Sequence, residues 1–126
     1  MGDRAIVLFE DAQGVERFAV YYHWAGRAGV EADARQAVKD HGDRLGDTSY
    51  FGARWVGVAC ASRPGSTGVG LLSVPPEVTA RHPEALKKFS HGDAGVAIFN
   101  VNTATLRWIE GTGYGFTEQR DPLTLR

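Results

Sequence analysis

The sequence predicts an α+β domain in which two helices pack on one face of a five-stranded, mainly antiparallel sheet, in the order β-β-α-α-β-β-β. Short β-branched and aromatic runs that alternate in polarity predict the strands, and two longer segments with helical spacing predict the helices. Glycine supplies 16 of the 126 residues and separates these runs, which is typical of short elements joined by tight turns. The chain length is that of a single domain spanning residues 1–126.

The first two strands are predicted to form a hairpin. Residues 5–9 are a short apolar run, and the segment from Arg17 to Trp24 follows after a turn that contains Gly14. Aromatic residues fill half of the longer segment, and they alternate between two faces. One face carries Phe18, Val20, Tyr22 and Trp24, whereas the other carries Ala19, Tyr21 and His23. The second face presents a phenol and an imidazole, which a core seldom requires.

A helix is predicted after Gly26 and Gly29, which interrupt the strand pattern. Acidic residues at Glu31 and Asp33 are expected in its first turn, where they complement the helix dipole. Gly42 is expected to end it. The apolar stripe of this helix consists of Val30, Ala34, Ala37, Val38, His41 and Leu45.

Residues 47–62 are compatible with either a helix or a strand. The apolar run 56–60 resembles a buried strand, and Gly52 and Gly57 would each cost a helix about 1 kcal/mol relative to alanine. Asp47 is a good N-cap, however, and helical spacing relates Phe51, Trp55, Val58 and Ser62. The composition is nearly balanced between the two structures, and we predict a helix.

The rest of the chain is predicted to complete the sheet. Residues 68–74 form a strand, residues 83–89 one or two helical turns, and residues 96–101 and 105–109 a second hairpin. The polar tail, 116–126, is expected to be loose or to form an interface. Because both helices would cover one sheet face, the other face is expected to be open to water, a ligand or another copy of the chain.

Composition excludes several classes of function. The net charge of −1 gives no general attraction to duplex nucleic acid or to an anionic membrane. The N-terminal apolar run is too short for a signal peptide, and none approaches the roughly 18 residues of a membrane span. A single cysteine permits neither an internal disulfide nor a cysteine-based zinc site. These features predict a cytoplasmic protein.

Candidate catalytic groups are few, and neither a metal nor a cofactor is predicted. The four histidines occur in no metal-binding pattern, and the apolar neighbours of Cys60 predict a buried thiol. His23 has a suggestive setting, and His91 with Asp93 is either a plain turn or a catalytic pair. The glycine-rich residues 111–115 lack the Lys-Ser/Thr of a phosphate-binding loop, which favours a glycine-rich turn over an anion nest.

A ligand site is predicted from arginines that lie next to tryptophans in the sequence. Such pairs can stack on a base and hold a phosphate, although the same pattern is produced by core tryptophans with arginines extended beside them. The predicted ligand-binding residues are Tyr21, His23, Trp24, Arg27, Arg107 and Trp108. The rings would stack on the ligand, and the arginines would pair with phosphate or carboxylate.

Three short motifs resemble those of a loose group of small phage and prophage proteins. They are Y-H-W-A-G at residues 22–26, D-T-S-Y-F-G-A-R at 47–54 and T-G-V-G at 67–70, within a likeness that spans residues 5–110. Ala25 stands where an aspartate is common in that group. The resemblance implies a helix rather than a strand at 47–62, and it implies a role in countering host defence.

Together these observations predict a non-enzymatic binding protein that forms homo-oligomers and takes a small nucleotide-like anion or a host protein. One alternative is a protein–protein inhibitor without a small ligand, acting through the open sheet face or the acidic helix from Glu31 to Asp43. A second alternative is a small hydrolase that uses His23, or His91 with Asp93. Duplex nucleic acid and membranes are not expected as partners.

Overall fold

The computed structural model describes residues 3–114 and 122–126, and it confirms the α+β class. The strands are β1 (Ala5–Asp11), β2 (Gly14–Tyr22), β3 (Val69–Ser73), β4 (Gly95–Asn100), β5 (Thr105–Trp108) and β6 (Leu123–Thr124). The helices are α1 (Gly26–His41), α2 (Thr48–Ser62) and α3 (Pro83–Phe89), with a 3-10 turn at Gly42–Arg44 after α1. The described residues therefore hold one strand more than the predicted five, and the helical turns predicted at 83–89 form a third helix, α3.

The strands form one mixed sheet in the order β3-β2-β1-β4-β5-β6. Both predicted hairpins are present, since β1 pairs with β2 and β4 pairs with β5, each antiparallel. The central pair β1 and β4 is parallel, with Ala5 opposite Gly95 and Glu10 opposite Asn100. A parallel pair cannot be joined by a hairpin, and here the whole segment between β1 and β4 makes the connection.

Both faces of the sheet are covered, so the prediction of an open face was wrong. Helices α1 and α2 pack on one face, which we call the helix face, and bury an aromatic core. On the opposite face, which we call the α3 face, residues 74–89 cover a smaller apolar cluster. This second cluster consists of Ile6, Leu8, Ala19, Val74, Val78, Ala85, Leu86, Val96 and Ile98. Since Ala85 and Leu86 are the buried residues of this seven-residue helix, the helical periodicity is too short to indicate that α3 covers the sheet.

Arg17 ties the covering segment to the sheet. Its guanidinium donates to the carbonyl oxygens of Pro75 (2.5 Å) and Val78 (3.1 Å), which lie beyond the end of β3. Helix α3 then begins at the predicted Pro83, and the imidazole Nδ1 of His82 caps it by accepting from the backbone N–H of Ala85 (3.0 Å). The His82 cap and the Arg17 hydrogen bonds therefore fix the position of residues 74–89 on the α3 face.

Helix α1 begins earlier than predicted. It starts at Gly26, which has φ of 66°, so Gly29 lies inside the helix and the acidic residues Glu31 and Asp33 lie beyond the first turn. Its end at His41, next to Gly42, confirms the predicted boundary. Asp33 is buried rather than exposed at a helix start, and its partners are described below.

Helix α2 confirms the choice of helix at residues 47–62. The carboxylate of Asp47 accepts from the backbone N–H of Tyr50 (3.3 Å), as the predicted N-cap requires. Gly52 is explained by a close approach, because a Cβ at this position would lie 2.6 Å from the ring of Phe18 on β2. The prediction that Cys60 is buried was wrong, because its thiol is on the exposed side of α2.

The polar tail lies partly outside the described residues, which leave out 115–121. Its described end, residues 122–126, is not loose. β6 pairs with β5, placing Leu123 opposite Leu106, and the backbone N–H of Leu125 donates to Ala104 (3.0 Å). Both leucines pack against the helix-face core, which explains the sixth strand.

Candidate functional site

The sheet separates the predicted site residues into groups. Trp108 belongs to the core on the helix face, whereas Tyr21 packs against the cluster on the α3 face. Arg107 lies opposite Ile98, a member of that second cluster, and so it shares the face of Tyr21. The predicted residues therefore do not converge on one pocket.

Arg27 and Trp108 are close together and serve the fold. The Arg27 guanidinium carbon lies 4.7 Å from the centre of the Trp108 ring, and Arg27 Nε donates to the carbonyl of Ala94 (3.1 Å). The indole N–H of Trp108 donates to Glu31 (3.0 Å), and its side chain is only 6% exposed. This pair matches the alternative of a core tryptophan with an arginine laid beside it.

Trp24 and His23 are the exposed members of the predicted set. Trp24 is 57% exposed, and its ring meets that of His23 edge-on with centroids 6.1 Å apart. The backbone N–H of His23 donates to Gly68 (3.1 Å), which extends the contact between β2 and the start of β3. Trp24 is thus available to a partner at this corner of the fold.

Arg107 lines a groove beside α3, and Tyr21 contacts a residue that lines the same groove. The ring of Tyr21 meets the imidazole of His91 edge-on, with centroids 5.0 Å apart. Arg107 Nη1 forms an ion pair with Glu10 (2.6 Å), so one arginine edge is fixed by the neighbouring carboxylate. His91 and Arg107 each line one of two cavities that adjoin along α3.

These two cavities together form what we call the α3 groove. The larger has a volume of about 440 Å³, the smaller about 230 Å³, and both are lined by Lys87 and Gly111. The polar and aromatic side chains of the groove are those of Lys87, Arg107, Glu110, Ser90, His91, Thr112 and Tyr114. Tyr114 is 74% exposed, so its ring is accessible at the mouth of the smaller cavity.

The glycine-rich loop of residues 111–115 forms the wall of the groove as far as it is described. Gly111 has φ of 80°, and a Cβ there would lie 2.8 Å from Cε of Lys87. A Cβ on Gly92, with φ of 82°, would lie 2.8 Å from the ring of Tyr114. Both glycines are needed for close packing, and a side chain at either would displace the lysine or the tyrosine.

The loop forms a turn in which the N–H groups of Thr112 and Tyr114 are used within the fold. The backbone N–H of Thr112 donates to Ile109 and that of Tyr114 to Gly92 (2.8 Å). The Thr112 hydroxyl accepts from Val96 N (2.9 Å), while its backbone carbonyl accepts from the Ser90 hydroxyl. The amides of Thr112 and Tyr114 are therefore not free to form an anion nest, which favours the predicted glycine-rich turn.

Electrostatically the groove is suited to an anion held by side chains. Lys87 is half exposed and has only a loose contact with Glu84, whose carboxylate lies 3.6 Å from Nζ. Such an exposed pair contributes little and can exchange its partner readily. Glu110 also lines the groove, so a ligand would be restricted to the end that carries Lys87, Ser90 and His91.

A separate cavity of about 420 Å³ lies on the other side of α3 and has a different charge. It is lined by Glu77, Glu84 and Lys88 together with apolar side chains such as those of Val78 and Phe89. Two carboxylates against one lysine do not favour an anion. Lys88, which lines this cavity, is therefore a suitable control for substitutions of Lys87.

His91 and Asp93, the catalytic pair considered from the sequence, each contact a different residue. His91 contacts Tyr21, whereas the carboxylate of Asp93 accepts from Nε of Arg4 (2.6 Å) and from the backbone N–H of Arg4 (3.2 Å). The hydrogen bond from the Arg4 side chain holds the pKa of Asp93 below its ordinary value. A carboxylate held in this way fastens the start of β1 beside β4 and makes a weak general base.

This ion pair predicts a particular dependence of stability on pH. Because the pKa of Asp93 is lower in the folded protein than in the unfolded chain, its contribution is complete at neutral pH and is lost on acidification. Asp93→Asn should therefore be less stable than wild type at pH 7, and the difference should shrink below about pH 4. Urea unfolding at several pH values measures this; a constant difference down to about pH 3 would contradict it.

A buried polar network lies between α1, α2 and β2. Asp33 accepts from Nη1 of Arg63 (2.6 Å), from the Tyr22 hydroxyl (2.9 Å) and from the Ser62 hydroxyl (3.4 Å). The indole N–H of Trp55 donates to the Tyr22 hydroxyl (2.8 Å). Burial, with the charge of Asp33, raises the pKa of Tyr22 far above its ordinary value, so the phenol remains a donor. Because these groups satisfy one another, we assign the network to stability.

Sequence reasoning missed several residues of the α3 groove. Nothing in the sequence distinguishes Lys87 from Lys88, yet they line cavities on opposite sides of α3. Ser90 and Tyr114 carried no recognisable signal. The glycine-rich loop was the one local sign, because clustered glycines indicate a close approach of backbone to another group.

Among residues 3–114 and 122–126, no group of histidine, cysteine, aspartate and glutamate side chains is arranged to hold a metal ion. None of the described helices is long and apolar enough to cross a membrane. Compared with known proteins, the chain matches no family model, no curated protein and no solved structure.

Proposed function

We propose that the protein is a non-enzymatic binding protein that takes a small, nucleotide-like anion in the α3 groove. The observation that carries this proposal is the sharing of Lys87 and Gly111 by two adjoining cavities, of about 440 and 230 Å³. Their combined space is within the range of small-ligand sites.

Each part of such a ligand has a counterpart in the groove. The ammonium of Lys87 is positioned for a phosphate, with the His91 imidazole in the same cavity. The Ser90 hydroxyl also lines this cavity, but its proton is donated to the Thr112 carbonyl. The exposed ring of Tyr114 offers a surface on which a base can stack. Arg107 borders the larger cavity, where it would add positive charge while paired with Glu10.

The biological role follows from the phage resemblance and belongs to the same proposal. A phage protein that sequesters a signalling nucleotide in the host cytosol would need binding alone, without turnover. The ion pair between Asp93 and Arg4 supports binding rather than hydrolysis, because the carboxylate predicted to act with His91 is held by the arginine.

Isothermal titration with nucleoside mono-, di- and triphosphates and with cyclic nucleotides tests the proposal. At least one nucleotide should bind, and Lys87→Ala should weaken its binding by about tenfold or more, because a charge-assisted hydrogen bond to phosphate is lost. Lys88→Ala is the matched control, since this neighbour lines the opposite cavity and should leave the affinity unchanged.

Three results would overturn the proposal. Binding lost in Trp24→Ala but retained in Lys87→Ala would place the ligand at the exposed corner near His23. Consumption of the nucleotide, halted in His91→Ala, would establish the hydrolase. Failure of every nucleotide to bind, with a host protein that co-purifies, would establish the protein–protein inhibitor.

A further inference from the structure

The outer edge of β3 presents unpaired backbone groups. Within residues 3–114 and 122–126, β3 is the terminal strand of the sheet and pairs with β2 alone. Gly68 accepts from His23 and Val74 donates to Arg17, both toward β2. Since backbone direction alternates along an antiparallel strand, Gly70 and Leu72 also face β2. The N–H and C=O groups of the remaining strand residues therefore point outward; these are Val69, Leu71 and Ser73.

This edge lacks the features that usually prevent strands from pairing. The strand V-G-L-L-S contains no charged residue and no proline, and Leu71 at its centre is 62% exposed. Natural edge strands are normally protected by lysine, proline, a bulge or a covering element. An unprotected edge with an exposed leucine is thus a surface for another extended strand.

The apolar character continues from the edge onto the neighbouring helix. Leu71 lies opposite Val20 and therefore projects on the helix face, beside α2. Gly52 of α2 packs on Phe18 of β2, and residues four and eight positions later, Val56 and Cys60, follow the same side of the helix. Val56 is half-buried and Cys60 exposed, and neither carries a charge.

We propose that this edge pairs with the same edge of a second copy of the chain, in antiparallel orientation about a two-fold axis at Leu71. In that register Leu71 exchanges both backbone hydrogen bonds with Leu71 of the partner subunit, and Val69 does so with Ser73 of the partner subunit. The outward groups are thus self-complementary. The absence of charge along the strand removes any repulsion between like copies and any basis for selecting a charged foreign peptide.

The sheet would continue across the two subunits, with the exposed Leu71 side chains meeting on the helix face. The interface lies at the opposite end of the strand order from β5 and β6, so it does not depend on the proposed ligand or on the α3 groove. Failure of nucleotide binding would leave this proposal intact, and the reverse also holds.

Analytical ultracentrifugation gives the first test. The wild-type protein should sediment as a dimer with twice the 13.6 kDa chain mass, and Leu71→Lys should sediment as a folded monomer. Tyr114→Lys is the matched control, because it adds the same charge at an exposed ring outside β3 and should remain dimeric. A monomeric wild type, or a dimeric Leu71→Lys, would overturn the proposal.

The direction of the backbone groups gives a second, sharper test. Ser73→Pro removes an N–H that points outward, so the subunit should fold normally but lose the dimer. Leu72→Pro removes an N–H that points to β2 and should instead disrupt the pairing of β3 within the subunit. In wild type the amides of Leu71 and Ser73 should exchange hydrogen more slowly as protein concentration rises. A dimer that survives Ser73→Pro would overturn the proposed pairing.

Discussion

Replacing Asp33 with alanine is expected to lower the free energy of unfolding by about 3–5 kcal/mol, since it removes one partner of a buried ion pair. The side chains of Asp33 and Arg63 are only 5% and 18% exposed. Without the carboxylate, the guanidinium of Arg63 and the hydroxyl of Tyr22 each lose a hydrogen-bond acceptor in a place where water has little access. Urea or guanidinium unfolding followed by far-UV circular dichroism measures the loss.

Asp40 offers the matched control on the same helix. It is exposed and accepts a single hydrogen bond from Gln36, so Asp40→Ala should change stability by no more than about 0.5 kcal/mol. Equal unfolding midpoints for Asp33→Ala and Asp40→Ala would show that the network contributes nothing. A double-mutant cycle with Arg63→Ala should give a coupling energy of at least about 1 kcal/mol, because the two side chains are in direct contact.

Trp55→Ala is expected to destabilise the protein by about 3–5 kcal/mol, the range for deleting a large aromatic side chain from a core. Trp55 is fully buried, and its ring lies 5.1 Å from that of Phe99 and 5.3 Å from that of Phe9, both edge-on. The substitution removes these contacts and the indole hydrogen bond to Tyr22. Thermal and chemical unfolding, followed by far-UV circular dichroism, measures the effect.

Two further variants separate the contributions of Trp55. Trp55→Phe retains most of the packing but leaves the Tyr22 hydroxyl without its donor, so it should cost less than the alanine variant. Trp24→Ala deletes a tryptophan that is 57% exposed and should cost about 0.5 kcal/mol or less. If Trp24→Ala proved as destabilising as Trp55→Ala, the assignment of Trp55 to the centre of the core would be wrong.

Local patterns predicted the elements that carry their own signals. The alternation along residues 18–22 placed Val20 and Tyr22 in the helix-face core and Tyr21 on the other side, as observed. The N-cap at Asp47 identified α2 despite two glycines. In both cases the information lies within a few consecutive residues, which a sequence displays directly.

The pairing of distant segments could not be predicted in the same way. The continuous apolar run of β1 is typical of a strand buried on both faces, but it does not identify β4 as the neighbour. β6 is only two residues long, so its sequence does not indicate a strand. α3 buries few side chains, so its sequence does not indicate that it covers the sheet. The predicted open face failed for this reason.

The candidate site was harder to predict than the fold. Arg107 acquires its counter-ion from Glu10, 97 residues away, and Trp108 bonds to Glu31, 77 residues away. Such contacts determine which arginines and rings are used internally, and they arise only once the strands are in order. The α3 groove likewise depends on a lysine whose neighbour in sequence lines a different cavity.

The parallel contact between β1 and β4 has a consequence for synthesis. In a nascent chain that has emerged from the ribosome only as far as β3, β1 can pair with β2 but not yet with β4. The residues of β4 that pair with β1 lie about 90 positions later in the chain. The early hairpin and both long helices can then assemble only provisionally. The sheet is completed only after β4 has been translated. Until then, chaperones that bind exposed apolar strands can bind the free edge of β1.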